Sequence, residues 1–198
     1  MQGNPFALGF WAGELFPIYS AEDEHMLDLD SSGVNTFGIV NYSCHLIAYV
    51  TTDDGLRYWV PRRTKTKLTF PAMLDNRVVE SLTSGETRID CVVRECLEEA
   101  SIPTEYTRAN IRFYGSLSYQ MTQADDGRQG HQHQVQYLCE IEIPEDAMPV
   151  PCDQEVQSFH LMALDKVVSA LRNGEFKLNC AMTWMAFFYS AWACQRGE

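Results

Sequence analysis

Residues 86–102 read Glu-Thr-Arg-Ile-Asp-Cys-Val-Val-Arg-Glu-Cys-Leu-Glu-Glu-Ala-Ser-Ile, and their spacing predicts a helix from about Thr87. Ile89, Val92, Val93, Cys96 and Ala100 recur at three- and four-residue steps, so they form one apolar stripe that must be covered. Glu95, Glu98 and Glu99 sit at i, i+3 and i+4 and share the other side. Thr87 and Asp90 have capping-box spacing at the helix start, with the shorter Asp in place of Glu.

Three carboxylates so placed repel one another by a few tenths of a kcal/mol per pair, roughly, on an isolated helix. Two readings account for them. One is a solvated face, relieved in part by Arg94. The other is a divalent cation: Mg²⁺ takes oxygen ligands, keeps several waters and favours a few carboxylates together with substrate phosphates.

The chain has 198 residues, one domain's length, with 45% hydrophobic and 12% aromatic residues, enough for a packed core. Its formal net charge of −12 argues against nucleic acid or an anionic membrane as partner and leaves a small molecule. The seven cysteines are odd in number and lack C-x-x-C spacing, which points to reduced thiols in a cytoplasmic protein. Cys91 and Cys96, five apart, are expected on different sides of the helix. No basic, then apolar, leader is evident at the start. The most apolar segment, Cys180 to Cys194, is too short to span a bilayer.

Residues 1–34 read as an N-terminal arm of short extended pieces, with a polar break at Asp28 to Ser32, and residues 35–198 as the domain. Phe37 to Val50 reads as a buried strand, and Asp53-Asp54-Gly55 as a hairpin signal returning through Leu56 to Val60. Pro61 to Lys67 reads as a loop with four basic residues. It is either solvated or a phosphate clamp, Arg62 and Arg63 acting as planar donors and Lys65 and Lys67 as point charges. Arg77 to Leu82 is a short strand. Pro103 stops the helix. Asn110 to Met121, Val135 to Ile143 and Glu155 to Leu161 are strands. Gln123 to Gln134 is a loop whose His131 and His133 are metal ligands, an acid/base pair or simply exposed. Leu164 to Arg172 is an amphipathic helix closed by Asn173-Gly174. A last helix, capped by Asn179, runs to about Cys194 and is apolar nearly all round, so it is buried or lies against a second copy in a homodimer. The fold class is α+β: an α/β/α sandwich over a mixed β-sheet.

Glu86, seven residues, then Arg94-Glu95-Cys96-Leu97-Glu98-Glu99 resembles the Nudix box, Gly-x5-Glu-x7-Arg-Glu-U-x-Glu-Glu-x-Gly-U. The likeness covers most of the chain and is similar to the branch related to thiamine pyrophosphokinase proteins, through Glu14-Leu-Phe-Pro17, Trp59-Val-Pro-Arg-Arg-Thr-Lys-Thr-Lys67, Met73-Leu-Asp-Asn76, Thr83-Ser-Gly-Glu86, Val135-Gln-Tyr137 and Gly174-Glu-Phe-Lys177. The resemblance implies a Nudix-type fold and a Mg²⁺- or Mn²⁺-dependent hydrolase of a diphosphate-bearing metabolite, such as thiamine diphosphate, a damaged relative of it, or a prenyl diphosphate. It implies Glu95, Glu98 and Glu99 as metal ligands, with Glu98 and Glu99 also catalytic. Glu86 and Arg94 would be structural, Arg94 pairing with a carboxylate. Glu155 would be a further ligand or base. Arg62, Arg63, Lys65 and Lys67 would bind substrate, with Trp59 stacking on its ring. The chain departs from the pattern at Glu80, Ser81, Ala72 and Ser101, where glycine is usual in the box or the branch. Glu80 is then a candidate extra ligand or catalytic group. An alternative reading makes the protein a repurposed enzyme of this fold, its clustered carboxylates doing acid/base chemistry on an unphosphorylated metabolite. A non-catalytic binding protein, paired through the apolar last helix, is the third.

Overall fold

The computed structural model describes residues 11–196 apart from 23, 68–69, 77, 124–129, 146 and 152–154, and leaves aside the side chains of 78–80, 123 and 194–196. The elements run β1 (Leu15–Tyr19), β2 (His25–Asp30), α1 (Ser31–Phe37), β3 (Val40–Thr52), β4 (Gly55–Arg63), β5 (Val78–Ser81), α2 (Arg88–Ala100), α3 (Thr104–Asn110), β6 (Arg112–Gln123), β7 (Gly130–Glu142), β8 (Val156–Ala163), α4 (Leu164–Arg172) and α5 (Leu178–Arg196).

The long apolar run near residue 45 becomes β3, the centre of a six-stranded mixed sheet ordered β6-β7-β3-β4-β8. A strand covered on both faces has no polar side to alternate with, which explains its near-continuous apolar reading. One edge of β3 pairs in parallel with β7. The other is shared: β5 pairs with Ser43 to Leu46 and β4 with Ala48 to Thr52, both antiparallel. Cys44, Leu46, Ala48 and Val50 point one way and pack with Cys91, Val92, Cys96 and Ala100 of α2. Ile47 points the other way, joining Tyr58, Val60 and Val167, Cys180, Trp184 and Phe187 from α4 and α5. The result is the expected α/β/α sandwich. Each fully buried apolar side chain contributes about 1.5–3 kcal/mol.

Several local expectations change. The hydroxyl of Thr87 caps α2 by accepting from Asp90 N at 3.2 Å, as the spacing predicted. The stripe is shifted, however: Ile89 is exposed, and Cys91 and Cys96 are both buried in the core rather than on different sides. Pro103 ends one helix only to begin another, α3, because a fixed φ suits a helix start. Asp28 to Ser32 is no break. Asp30 ends β2 and caps α1, its carboxylate accepting from Ala12 N, Gly13 N, Ser32 N and Ser32 Oγ. Those bonds, the Ser32 hydroxyl first, hold its carboxyl down at about 2. His131 and His133 lie in strand β7. Helix α5 starts at Leu178, so Asn179 sits inside it, and its outer side leaves Met185, Tyr189 and Trp192 exposed. Cys44, Cys91, Cys96, Cys139 and Cys180 are buried free thiols; burial pushes those of Cys139 and Cys180 up. No helix among the described residues is long and apolar enough to cross a membrane.

Candidate active site

The site is built on the loop 83–86 and the helix that follows it. Glu86 N donates to Thr83 O at 3.1 Å, closing a turn in which Gly85 takes φ +80°, a conformation costly for any other residue. The Thr83 hydroxyl donates to Glu86 Oε2 at 3.1 Å and turns that carboxylate toward the helix. Arg94 reaches back one helical turn beyond the loop. Its Nε donates to Glu86 Oε1 at 2.9 Å and its Nη2 to Oε2 at 3.2 Å, a two-pronged grip that matches the planar fork to the carboxylate. The same guanidinium contacts Glu95 through Nη1 and lies 3.4 Å from Glu98 Oε2. Arg94 is thus the hub of three carboxylates. Its own pKa is raised, the Glu86 hydrogen bond first among the causes.

The three helix glutamates differ in setting. Glu95 is buried against Arg94, Glu99 is half-buried, and the Glu98 side chain is 58% exposed. Among the described residues no three ligating side chains form a ready-made cage. Mg²⁺ does not require one, since waters and substrate phosphates complete its sphere. The all-oxygen donor set at i, i+3 and i+4, part-neutralised by one arginine, fits a hard divalent cation.

The basic stretch is not the free loop expected. Pro61, Arg62 and Arg63 belong to β4. Arg62 Nη1 donates to Ala72 O at 2.8 Å and pins the following loop. Arg63 Nη1 pairs with Asp75 Oδ2 at 2.7 Å, both nearly buried. Burial would raise the Asp75 carboxyl, yet Lys177, the Cys180 thiol and Arg63 together bring it below its ordinary value. Arg63 is therefore committed to the fold. Lys67 pairs with Glu155, joining two candidates, while Lys65 is exposed. Trp59 is a correction: it is 8% exposed and packs in the α2-side core beside Ala48, so its faces are taken by the chain itself. The Glu80 side chain lies outside the described residues; its backbone pairs opposite Cys44 in β5.

The glycine departures divide in two. Ala72 and Ser101 keep left-handed backbone, φ +60° and +54°, so the conformation persists without the residue that suits it. Ser101 closes α2, its N–H reaching Leu97 O at 3.1 Å. Glu80 and Ser81 are extended strand, where that freedom is not needed. The Ser81 hydroxyl accepts from Asn41 Nδ2 at 2.9 Å.

Sequence reasoning missed a group of aromatic rings beside Glu86. Tyr42 and Tyr137 lie parallel within 12°, centroids 6.2 Å apart, and Tyr19 meets Tyr42 edge-on at 6.1 Å. The Arg88 guanidinium lies 4.7 Å from the Tyr137 centroid. These residues are far apart in sequence and meet only through the β3–β7 register, in which Tyr42 pairs with Val135 and Cys44 with Tyr137.

The sequence model of the NUDIX domain matches residues 47–184. An uncharacterized Saccharomyces cerevisiae protein is 32% identical over 186 residues, covering 89% of this chain and 54% of its own length. The Arabidopsis thaliana protein named Nudix hydrolase 20, chloroplastic, is 30% identical over 178 residues, 89% of this chain and 46% of its own. The chain spans about half the length of these curated relatives. A Deinococcus radiodurans crystal structure superposes with a TM-score of 0.59 at 22% identity, covering 85% of this chain and 96% of the other. A MutT protein from Methanosarcina mazei gives a TM-score of 0.55 at 15% identity, over 76% and 95%. Both are likenesses of fold. With its loop, helix and sandwich matched along most of its length, the chain belongs to the NUDIX domain family.

Proposed function

We propose that the protein is a hydrolase of a diphosphate linked to a small organic group, dependent on Mg²⁺ or Mn²⁺. The observation that carries this reading is the Arg94 hub, which fixes the loop carboxylate Glu86 and the helix carboxylates Glu95 and Glu98 in one assembly. Glu95, Glu98 and Glu99 would hold the cation, which when bound neutralises phosphate charge and lowers the pKa of water. The chain's own residues supply the rest. Arg94 and Glu86 lock the loop to the helix, so the carboxylates do not reorganise during reaction. Glu98 is exposed and Glu99 half-buried, which leaves their carboxylate oxygens within reach of solvent and substrate. Exposed Lys65 offers a point charge to phosphate oxygens. The relatives named Nudix hydrolase support the same class of chemistry. Thiamine diphosphate-like and prenyl diphosphates are the substrates to try first.

Phosphate release from a panel of organic diphosphates, with Mg²⁺ and then with excess chelator, tests it. Hydrolysis that appears with metal and vanishes with chelator is expected. Turnover of an unphosphorylated metabolite that survives chelation would replace this reading with acid/base chemistry.

A further inference from the structure

The α2 glutamates lie on one side of the sheet, and a separate cavity opens on the other. Along β7, Cys139 and Ile141 are buried in the α2-side core, so strand alternation turns Glu140 and Glu142 to the α5 side. There a cavity of about 660 Å³ is floored by Tyr49, Arg112, Tyr114 and Glu140 and walled by Phe187 and Ala191 of α5. The sheet stands between this cavity and α2. Small-molecule sites run from about 300 to 1,000 Å³, so the space suits a ligand of that class.

Two features decide the chemistry of its occupant. The first is aromatic: Tyr114 and Phe187 meet at 67° with centroids 5.9 Å apart, and Tyr49 adds a third ring. The second is charge, since two carboxylates, Glu140 and Glu142, face one guanidinium. That guanidinium is already engaged: Arg112 Nη2 lies 2.8 Å from Glu140 Oε1 and donates to Tyr49 Oη at 3.0 Å. The Thr51 hydroxyl donates to Glu142 Oε1 at 2.6 Å and fixes that carboxylate. The charge of Glu140 is felt around the floor. It is the first cause that raises the Arg112 pKa, and after burial the next that raises the Tyr49 phenol. An anion would meet two carboxylates and an occupied arginine. A bare metal ion would find no cluster of three ligating side chains among the described residues. Rings beside carboxylates suit a cation that carries an apolar body, and the chain's net charge of −12 draws cations to it.

We propose that this cavity binds a small organic cation, an amine or quaternary ammonium on an apolar body, at a place of its own across the sheet from the α2 glutamates. The proposal stands whether or not the protein hydrolyses a diphosphate. Benzylamine, benzyl alcohol and benzoate carry the same ring with a positive, no and a negative charge, and they are the probes. Each is titrated into the full chain in saturating Mg²⁺ and followed by NMR. Benzylamine is expected to bind with a Kd on the order of 1 mM, the scale for a molecule of its size. Benzyl alcohol should bind about tenfold more weakly, and benzoate more weakly still. Glu140→Gln keeps the side chain's shape and an acceptor for Arg112 but removes the charge. It should weaken benzylamine about fivefold and leave benzyl alcohol unchanged. Ala191→Phe, at an exposed position of α5, should narrow the cavity and weaken both probes, with urea unfolding confirming that each variant folds. Benzylamine binding no tighter than benzyl alcohol, or binding that neither variant changes, overturns the proposal. Preference for benzoate would make the cavity an anion site of Arg112, and benzylamine binding that appears only without Mg²⁺ would make it a metal site; either result overturns the proposal as well.

Discussion

Ala72 and Ser101 carry a conformational cost that can be measured. A left-handed residue with a Cβ costs about 1–2 kcal/mol, of which glycine's greater unfolded-state freedom returns part. Ala72→Gly and Ser101→Gly should each stabilise the protein by about 0.5–1 kcal/mol in urea unfolding. Destabilisation by either would show that the side chain does more than fill the position. Arg63 makes the opposite prediction. Removing it takes one charged partner from buried Asp75 and leaves Lys177 and the Cys180 thiol, so Arg63→Ala should cost about 1.5–3 kcal/mol in the same measurement. A phosphate-binding arginine would show its loss in KM instead. At this scale the sequence was legible where a motif is spelled out: the resemblance implied that Arg94 pairs with a carboxylate, and Glu86, eight residues earlier, is the one it grips. It was not legible where neighbours decide. Nothing in the spelling of Trp59 or Arg63 announces that the core and Asp75 claim them.

Elements were read well where a period or a breaker was strong. Helices α2 and α4 are where the pattern put them, while β3 runs Val40–Thr52 rather than from Phe37, which ends α1 before the left-handed Gly38. Thr87→Ala should cost about 1 kcal/mol through loss of the cap, read from urea unfolding, with no change in KM; a loss near zero would mean that α2 is set by packing alone. The short helices α1 and α3 were missed, since seven residues give too little periodicity, though Asp30-Ser-Ser32 and Pro103 were start signals in plain view. His131 and His133 looked like loop because their stretch is polar. Pairing with β6 opposite Thr122 and Gln120 makes them strand all the same. The rings beside Glu86 were invisible for a related reason: they come from β1, β3 and β7, and only sheet register brings them together.

The molecule as a whole has two covered sheet faces, and one of them carries a burden. His45 is fully buried under α5, with Asn76 Nδ2 and Thr183 Oγ1 each 3.2 Å from its Nδ1. Neither partner is a carboxylate, so nothing in contact with the ring favours its charged form. Burial first, then the charge of Lys177, pushes its pKa down to about 3. Below about pH 6.5 the unfolded chain takes up a proton that the native state refuses, so stability is complete above that pH and falls as pH drops toward 3. Between pH 6 and 5, before carboxylates titrate, the folding equilibrium constant should fall by up to roughly tenfold per unit. Unfolding of His45→Gln should lack that slope; an identical slope would place the proton elsewhere. Beneath the opposite face, the account rests on the α2 carboxylates acting on an organic diphosphate bound beside them. The measurement that tests this most directly is kcat/KM for hydrolysis of the best organic diphosphate by Glu98→Gln and Glu99→Gln in saturating Mg²⁺, with folding checked by urea unfolding. The account predicts a loss of about 10²-fold or more in each, with stability kept; full activity in both variants would contradict it.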